Sequence, residues 1–301
     1  MSIMHLTVEF GQNTIAPSSV RWARKHPVAY SVVPESAKGD GPRPMTTKRT
    51  SRVISSSRAA ISAEALHQNA ILIGLDAPQI HIVTANGTLV HLKVRDQIYQ
   101  PDERINDVFF PVDCVLSVVT RMKDGHQIEI GTIGREGVSA IPLLLGAKSS
   151  LNESYCQVPG KAVKLDAKSF RSLTANVKFQ KLLDRYVQAY VNMLGQLAAC
   201  NRLHGVYERC ARWLLMTQDR VDRAEIRLTH EYLAMMLGTD RSGVSIAAAA
   251  LQNAGFIRYA HGVITVLNRA GLEEACCECY DVARDQFGGL LRSVSRKAKH
   301  L

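Results

Sequence analysis

Past residue 60 the spacing of apolar side chains changes character twice. "ISAEALHQNAILIGL" (61–75) has helical spacing and is read as one or two helices, broken between Gly74 and Pro78. Short strand-like runs follow: "TLVHLKV", "DVFFPVDCVLSVVTRM", "HQIEIGTIG", "SYCQVPG" and "KAVKLD", punctuated by Gly, Pro and Asp. Asp124-Gly125 predicts a two-residue hairpin turn, because a type I′ turn wants positive φ at both central positions. "QIEIGTI" alternates, which predicts one face on a core. The series predicts a small antiparallel barrel or jelly roll over about 80–165.

From Phe179 to Asn201 the period becomes helical. Leu183, Tyr186, Val187, Tyr190, Val191, Leu194 and Leu197 form one stripe. Such a helix, about 35 Å long, exceeds what a barrel of this size needs. Its stripe is expected to be left over for a second copy of the chain, the alternative being that it packs on its own chain.

A second helical pattern, "LAMMLGTDRSGVS" (233–245), stops at a glycine and restarts beyond small polar residues. Leu233, Leu237, Val244 and Ala247 are expected as the buried contacts of two crossing helices, with Ala234 small at the crossing. Gly238 ends the first helix, where positive φ is needed. Thr229 is placed to cap the first helix, and Thr239 or Asp240 the second. Arg241, Ser242 and Ser245 then point outward at the start of the second helix. An arginine there can make a bidentate bond to guanine in a major groove. "GFIRYAHGVITVLN" reads as two strands joined through Ala260-His261-Gly262, a wing from which Arg258, Tyr259 and His261 could reach phosphates or the minor groove. An ordinary antiparallel helix pair with a hairpin is the structural alternative.

Composition adds less. The net charge is +10, but residues 1–60 hold nine Lys/Arg against three Asp/Glu, so +6 lies there and only +4 in the rest. Charge alone is therefore weak support for nucleic-acid binding by the folded part. Residues 1–60, which carry Pro17, Pro27, Pro34, Pro42 and Pro44, read as a disordered basic extension or as a translated leader ahead of a start at Met45. A transit peptide has similar composition. No apolar run reaches the length of a membrane-spanning helix, and the expected location is cytoplasmic. The α+β chain is thus expected to divide into an extension (1–60), a β-barrel (61–175), a long helix (176–203), a winged helix-turn-helix (204–285) and a basic tail (286–301).

"LTHEYLAMMLGTDRSGVS…LQNAGFIRY…GVITVLNRAGLE", with this order of parts, resembles the CRP/FNR superfamily of bacterial transcription regulators over roughly 66–285. The resemblance implies a cyclic-nucleotide-binding-like barrel, a dimerisation helix and a winged helix. It also implies double-stranded DNA, a second copy of the chain and RNA polymerase as partners. Arg241 matches the family's guanine-reading arginine. Ser242 stands where a glutamate often follows and Ile246 where another arginine often stands, so the usual half-site is not expected. Thr229, Thr239, Arg258 and His261 are expected on the DNA backbone, with Arg241, Ser242 and Ser245 on the bases.

A cyclic-nucleotide site is not expected. "GAKSSLNESYC" offers Asn152-Glu153-Ser154 where the phosphate's arginine belongs, and a glutamate would repel a phosphate. Lys148 would be a weaker substitute. Of the seven cysteines, none lies in residues 1–113, which argues against the superfamily's N-terminal iron–sulfur site. "ACCECY" (275–280) gives three thiols where a metal site usually wants four ligands, so no metal and no cofactor is expected, and Cys200 and Cys210 read as core. GxSxG, P-loop, HExxH and helix-opening GxGxxG motifs are absent, and His81 and His91 lack cupin spacing; no catalytic residue is assigned. An effector-dependent regulator, and a winged helix that holds protein rather than DNA, remain as alternatives.

Overall fold

The computed structural model describes residues 60–221 and 223–298, with side chains to residue 289. The expected extension lies, but for Ala60, outside the described residues. Two short helices, α1 (Ala63–His67) and α2 (Ala70–Ile73), are capped by the side chains of Ser62 and Asn69. A third, α3 (Ala77–Asn86), corrects the sequence reading, which had strand-like structure begin near residue 80. Pro78 sits in its first turn and Asp76 with Gln79 forms a capping box, so the residues taken as a break start a helix.

Two antiparallel sheets form the N-terminal domain. One carries the order β1-β7-β3, from β1 (Thr88–Leu92), β7 (Gly160–Asp166) and β3 (Asp107–Pro111). The other runs β2-β6-β4-β5, from β2 (Gln97–Tyr99), β6 (Glu153–Val158), β4 (Val115–Arg121) and β5 (Gln127–Ile133). Val108, Phe109, Phe110, Leu116 and Val163 fill the core between them. The short α4 (Ile141–Leu144) follows β5. The β4–β5 turn is longer than expected. Met122 N–H donates to the His126 carbonyl at 2.8 Å, closing a three-residue loop in which Gly125 alone takes positive φ, +89°. The alternation of β5 is broken as well. Val118 pairs with Gly131 and Val119 with Glu129, so Ile130 is bulged out and Glu129 is buried.

After α5 (Ala167–Thr174) comes the long helix, α6 (Val177–Leu203), whose 27 residues span about 40 Å. Much of its apolar stripe is covered within the chain, although Val191 stays 52% exposed. Leu183, Tyr186 and Tyr190 are buried in their own chain, and the Tyr186 hydroxyl donates to the Val138 carbonyl at 3.1 Å. Periodicity told which face was apolar but not what would cover it.

The C-terminal half comprises α7 (Val206–Val221), β8 (Glu225–Arg227), α8 (His230–Leu237), α9 (Arg241–Asn253), β9 (Ile257–Ala260), β10 (Val263–Val266), α10 (Arg269–Ala275) and α11 (Cys279–Ala298). The strands pair in the order β8-β10-β9. The segment expected as a basic tail from 286 is, as far as Ala298, the body of α11. That helix packs along α6, where Asn192 donates to Gln286 at 3.0 Å.

Candidate functional site

The turn between α8 and α9 has the geometry its residues demand. Gly238 ends α8 at φ +59°, the left-handed conformation that favours glycine, and an added Cβ would have to push aside the Ile128 side chain, whose Cδ1 would lie 2.7 Å away. Thr229 caps α8 by accepting from Tyr232 N–H, and Asp240 caps α9 by accepting from Gly243 N–H at 2.6 Å. That bond holds the Asp240 carboxyl below its ordinary range. Leu233, Ala234, Leu237, Val244 and Ala247 are all buried where the two helices cross. At the wing, His261 (φ +52°) and Gly262 (φ +73°) form the β9–β10 turn, with both central residues left-handed as in type I′.

Arg241 opens α9 with its side chain 68% exposed, paired with Glu231 at 2.8 Å. Both partners are wet, so the pair is worth under about 1 kcal/mol and gives way readily. Ser242 is exposed, but its hydroxyl donates to Asp240 at 2.8 Å. Ser245 is half-buried, bonded to its own helix at Arg241 O and lying 3.1 Å from His230 Nδ1. The structure thus gives both serines local partners, which their sequence positions could not show. Arg258 and His261 are exposed, while Thr239 is half-buried between the two helices.

The structure adds His230 to the residues named from the sequence and shows how Ile246 and Tyr259 are placed. Ile246 is 72% exposed on the outer face of α9, one turn along from Ser242. His230 packs against Tyr259 with ring centroids 4.5 Å apart and the rings inclined at 44°, and burial pushes its imidazole down toward the neutral form. Tyr259 in turn donates its hydroxyl to the Leu228 carbonyl at 3.0 Å, tying the wing to the entry of α8.

The two halves meet at β5. Glu129 accepts from Ser117 (2.6 Å), Gln157 (2.6 Å) and Trp213 (3.3 Å). Burial pushes its carboxyl up to about 7 from an ordinary 4.5, against those donors and the nearby Arg220 charge. The folded state therefore holds this proton more tightly than the unfolded chain does. The resulting stabilisation is complete below about pH 4.5 and is lost as pH rises through about 7. Between pH 5.5 and 8 the wild type should lose on the order of 2 kcal/mol relative to Glu129→Gln, read from denaturant midpoints. Parallel pH profiles for the two proteins would sink the idea.

Residues 208–275 match the family described as the Crp-like helix-turn-helix domain. In fold, the chain is similar to a putative CRP/FNR-family regulator from Eubacterium rectale, with 15% identity, TM-score 0.53, and 67% of this chain and 94% of that one covered. It is similar also to a CRP-family regulator from Thermus thermophilus, at 20% identity, TM-score 0.53, and 62% and 95% coverage. FixK2 from Bradyrhizobium japonicum gives 16% identity, TM-score 0.54, and 64% and 98% coverage. No match was found among curated proteins. The chain carries a Crp-like helix-turn-helix on the CRP/FNR fold, with its β-rich N-terminal domain and long helix.

Proposed function

We propose that this chain, a Crp-like helix-turn-helix domain on the CRP/FNR fold, is a sequence-specific transcription regulator that acts as a cytoplasmic homodimer on an inverted-repeat site. The observation that carries this reading is Arg241 at the first position of α9, exposed and held only by a solvent-facing carboxylate. Arg241 reads a base, Ser242 and Ser245 adjust the same edge once their local bonds exchange, and Ile246 presents an apolar surface suited to a thymine methyl. Thr229, Thr239, Arg258 and His261 hold the phosphate backbone on either side. RNA polymerase is the expected protein partner at the promoter.

Dimerisation is assigned to the face of α6 opposite its buried stripe. Asp184, Gln188, Val191, Gly195, Ala198 and Arg202 are all exposed and repeat at alternating steps of four and three residues. This is the spacing of a two-helix seam. A Cβ added at Gly195 would meet nothing within 4 Å among the described residues, so no packing among them accounts for the small residues at the seam's centre. A partner helix crossing closely there does.

The barrel is read as one that does not take cyclic AMP. Glu153, at the position where the phosphate would need an arginine, is buried and engaged by Arg121 at 3.1 Å and by Gln127. Asn152 accepts from Thr120 at 2.7 Å, which commits the neighbouring residue too. The pair of β4 and β6 is thus closed by a carboxylate that an anion would have to approach.

Selection of binding sites from random duplexes, with full-length protein, no added effector and near-physiological salt, tests this reading. An inverted repeat with half-site centres about 34 Å apart is expected. Salt-sensitive, sequence-blind retention would overturn it. Specific sites appearing only after cyclic AMP is added would overturn the reading of the barrel alone.

A further inference from the structure

Cys277 and Cys279, from the "ACCECY" segment, do not pack into the main core. With Cys200 they form a separate buried cluster made of thiols alone. Cys200 lies in the last turn of α6, His204 caps that helix four residues on, Cys277 stands in the loop before α11, and Cys279 opens α11. Their four donor atoms lie within 4.8 Å of one another. Cys200 Sγ is 3.5 Å from Cys277 Sγ, and Cys279 Sγ is 3.5 Å from His204 Nδ1. A tetrahedron with metal–sulfur bonds of about 2.3 Å has edges of about 3.8 Å, so the set is close to the size one ion needs. An iron–sulfur cluster places several atoms between its ligands and would hold them farther apart.

We propose that Cys200, His204, Cys277 and Cys279 form a tetrahedral site for one zinc-class divalent ion, which clips the end of the long helix to the start of α11. The chemistry of the donors suits zinc, since three soft thiolates and one imidazole are a common structural set.

Two further observations point the same way. His204 presents Nδ1 to the thiols while its Nε2 lies 3.2 Å from the Glu278 carboxylate. This is the arrangement in which a metal-ligating histidine donates its other N–H to an acid and is held in the right tautomer. On α7, Arg209 and Arg212 are buried, Arg209 reaches the Asn201 side chain beside Cys200 at 3.4 Å, and each arginine leaves its Nε without a hydrogen-bond partner among the described residues. Buried cations favour an anion nearby. Three thiolates and one imidazole on a divalent ion carry a net charge of −1 and supply one. Binding releases the thiol protons to solvent.

The place of the site gives it a consequence, which rests on the regulator reading. His204 and Gly205 separate α6 from α7, the only residues between the proposed dimer helix and the DNA-binding half. A metal clip there fixes the angle at which that half leaves the long helix.

Reduced full-length protein should take up one zinc per chain and, with cobalt instead, show the strong visible bands of a tetrahedral site with thiolate charge transfer in the near ultraviolet. Cys277→Ser and Cys279→Ser should lose these, whereas Cys276→Ser should keep them, because Cys276 faces its own helix at Glu273 O. Glu278→Gln should keep the cobalt spectrum but weaken zinc affinity about 10–100-fold against a competing chelator. No stoichiometric uptake, cobalt bands that survive Cys277→Ser, or a Cys200–Cys277 disulfide in place of bound metal would overturn the proposal. Should a serine variant fail to fold, the wild-type charge-transfer intensity still counts the thiolates. These readouts contain no DNA, so their failure is separable from failure of the regulator reading.

Discussion

Arg220→Ala is expected to lower the unfolding free energy by about 3–5 kcal/mol, the usual consequence of orphaning a buried charge. Arg220, near the end of α7, and Glu136, just beyond β5, have side chains only 6% and 7% exposed. Arg220 Nη2 and Nε reach Glu136 Oε1 at 2.8 and 3.0 Å, and Nη1 donates to Thr132 at 2.6 Å. Truncation leaves the Glu136 carboxylate with Gly134 N–H, at 3.0 Å, as its remaining donor among the described residues. It also opens space beside Gly134, whose missing Cβ makes room for the arginine stem. The double variant Arg220→Met with Glu136→Gln should recover most of the loss, because it removes both charges and keeps the volume. Denaturant unfolding of the four proteins of the cycle measures the coupling. A loss below about 1 kcal/mol for Arg220→Ala would show that water reaches the site and screens it. The pair joins the barrel to α7, so the same loss should loosen the packing between the two halves.

What the sequence made legible was local. Gly238, Asp240 and the buried series from Leu233 to Ala247 specify a helix-turn-helix because each requirement falls within a dozen residues and has one physical solution. The wing was readable for the same reason, at His261-Gly262. Legibility failed where a pattern had to find a distant partner. Tyr186 and Tyr190 have faultless helical spacing, yet spacing is silent on whether a barrel or a second chain covers them. "IHIV" at 80–83 holds three β-branched apolar residues around His81, and the cap at Asp76 and the proline behind it decide for helix. Glu129 looked like the solvent face of an alternating strand until the bulge at Ile130 and the arrival of Trp213 turned it inward. The thiol cluster was hidden most completely. Only two of the three cysteines in "ACCECY" join it, and their partners, Cys200 and His204, stand 77 and 75 residues earlier at the end of α6. The spacing of Cys200 and His204, one helical turn apart, was the available signal.

Arg241→Ala is expected to weaken binding to the selected inverted repeat by about 1–3 kcal/mol per half-site, and to relax the preference at one base pair in each. Stability should stay within about 0.5 kcal/mol of wild type, since the side chain is 68% exposed and its partner Glu231 49% exposed. The two effects separate reading from folding. Affinity for random duplex should fall much less, because removing a base-reading side chain costs little where no matching base is offered. Glu231→Gln supplies the opposite perturbation. It frees the guanidinium and removes a negative charge from the proposed DNA-binding face, so random-duplex binding should strengthen while the preferred base stays the same. Equal losses for Arg241→Ala on selected and random duplexes would make Arg241 a phosphate-binding residue. The outward face around Ile246 would then have to carry the discrimination, by packing against thymine methyl groups, and Ile246→Ala rather than Arg241→Ala would relax the site.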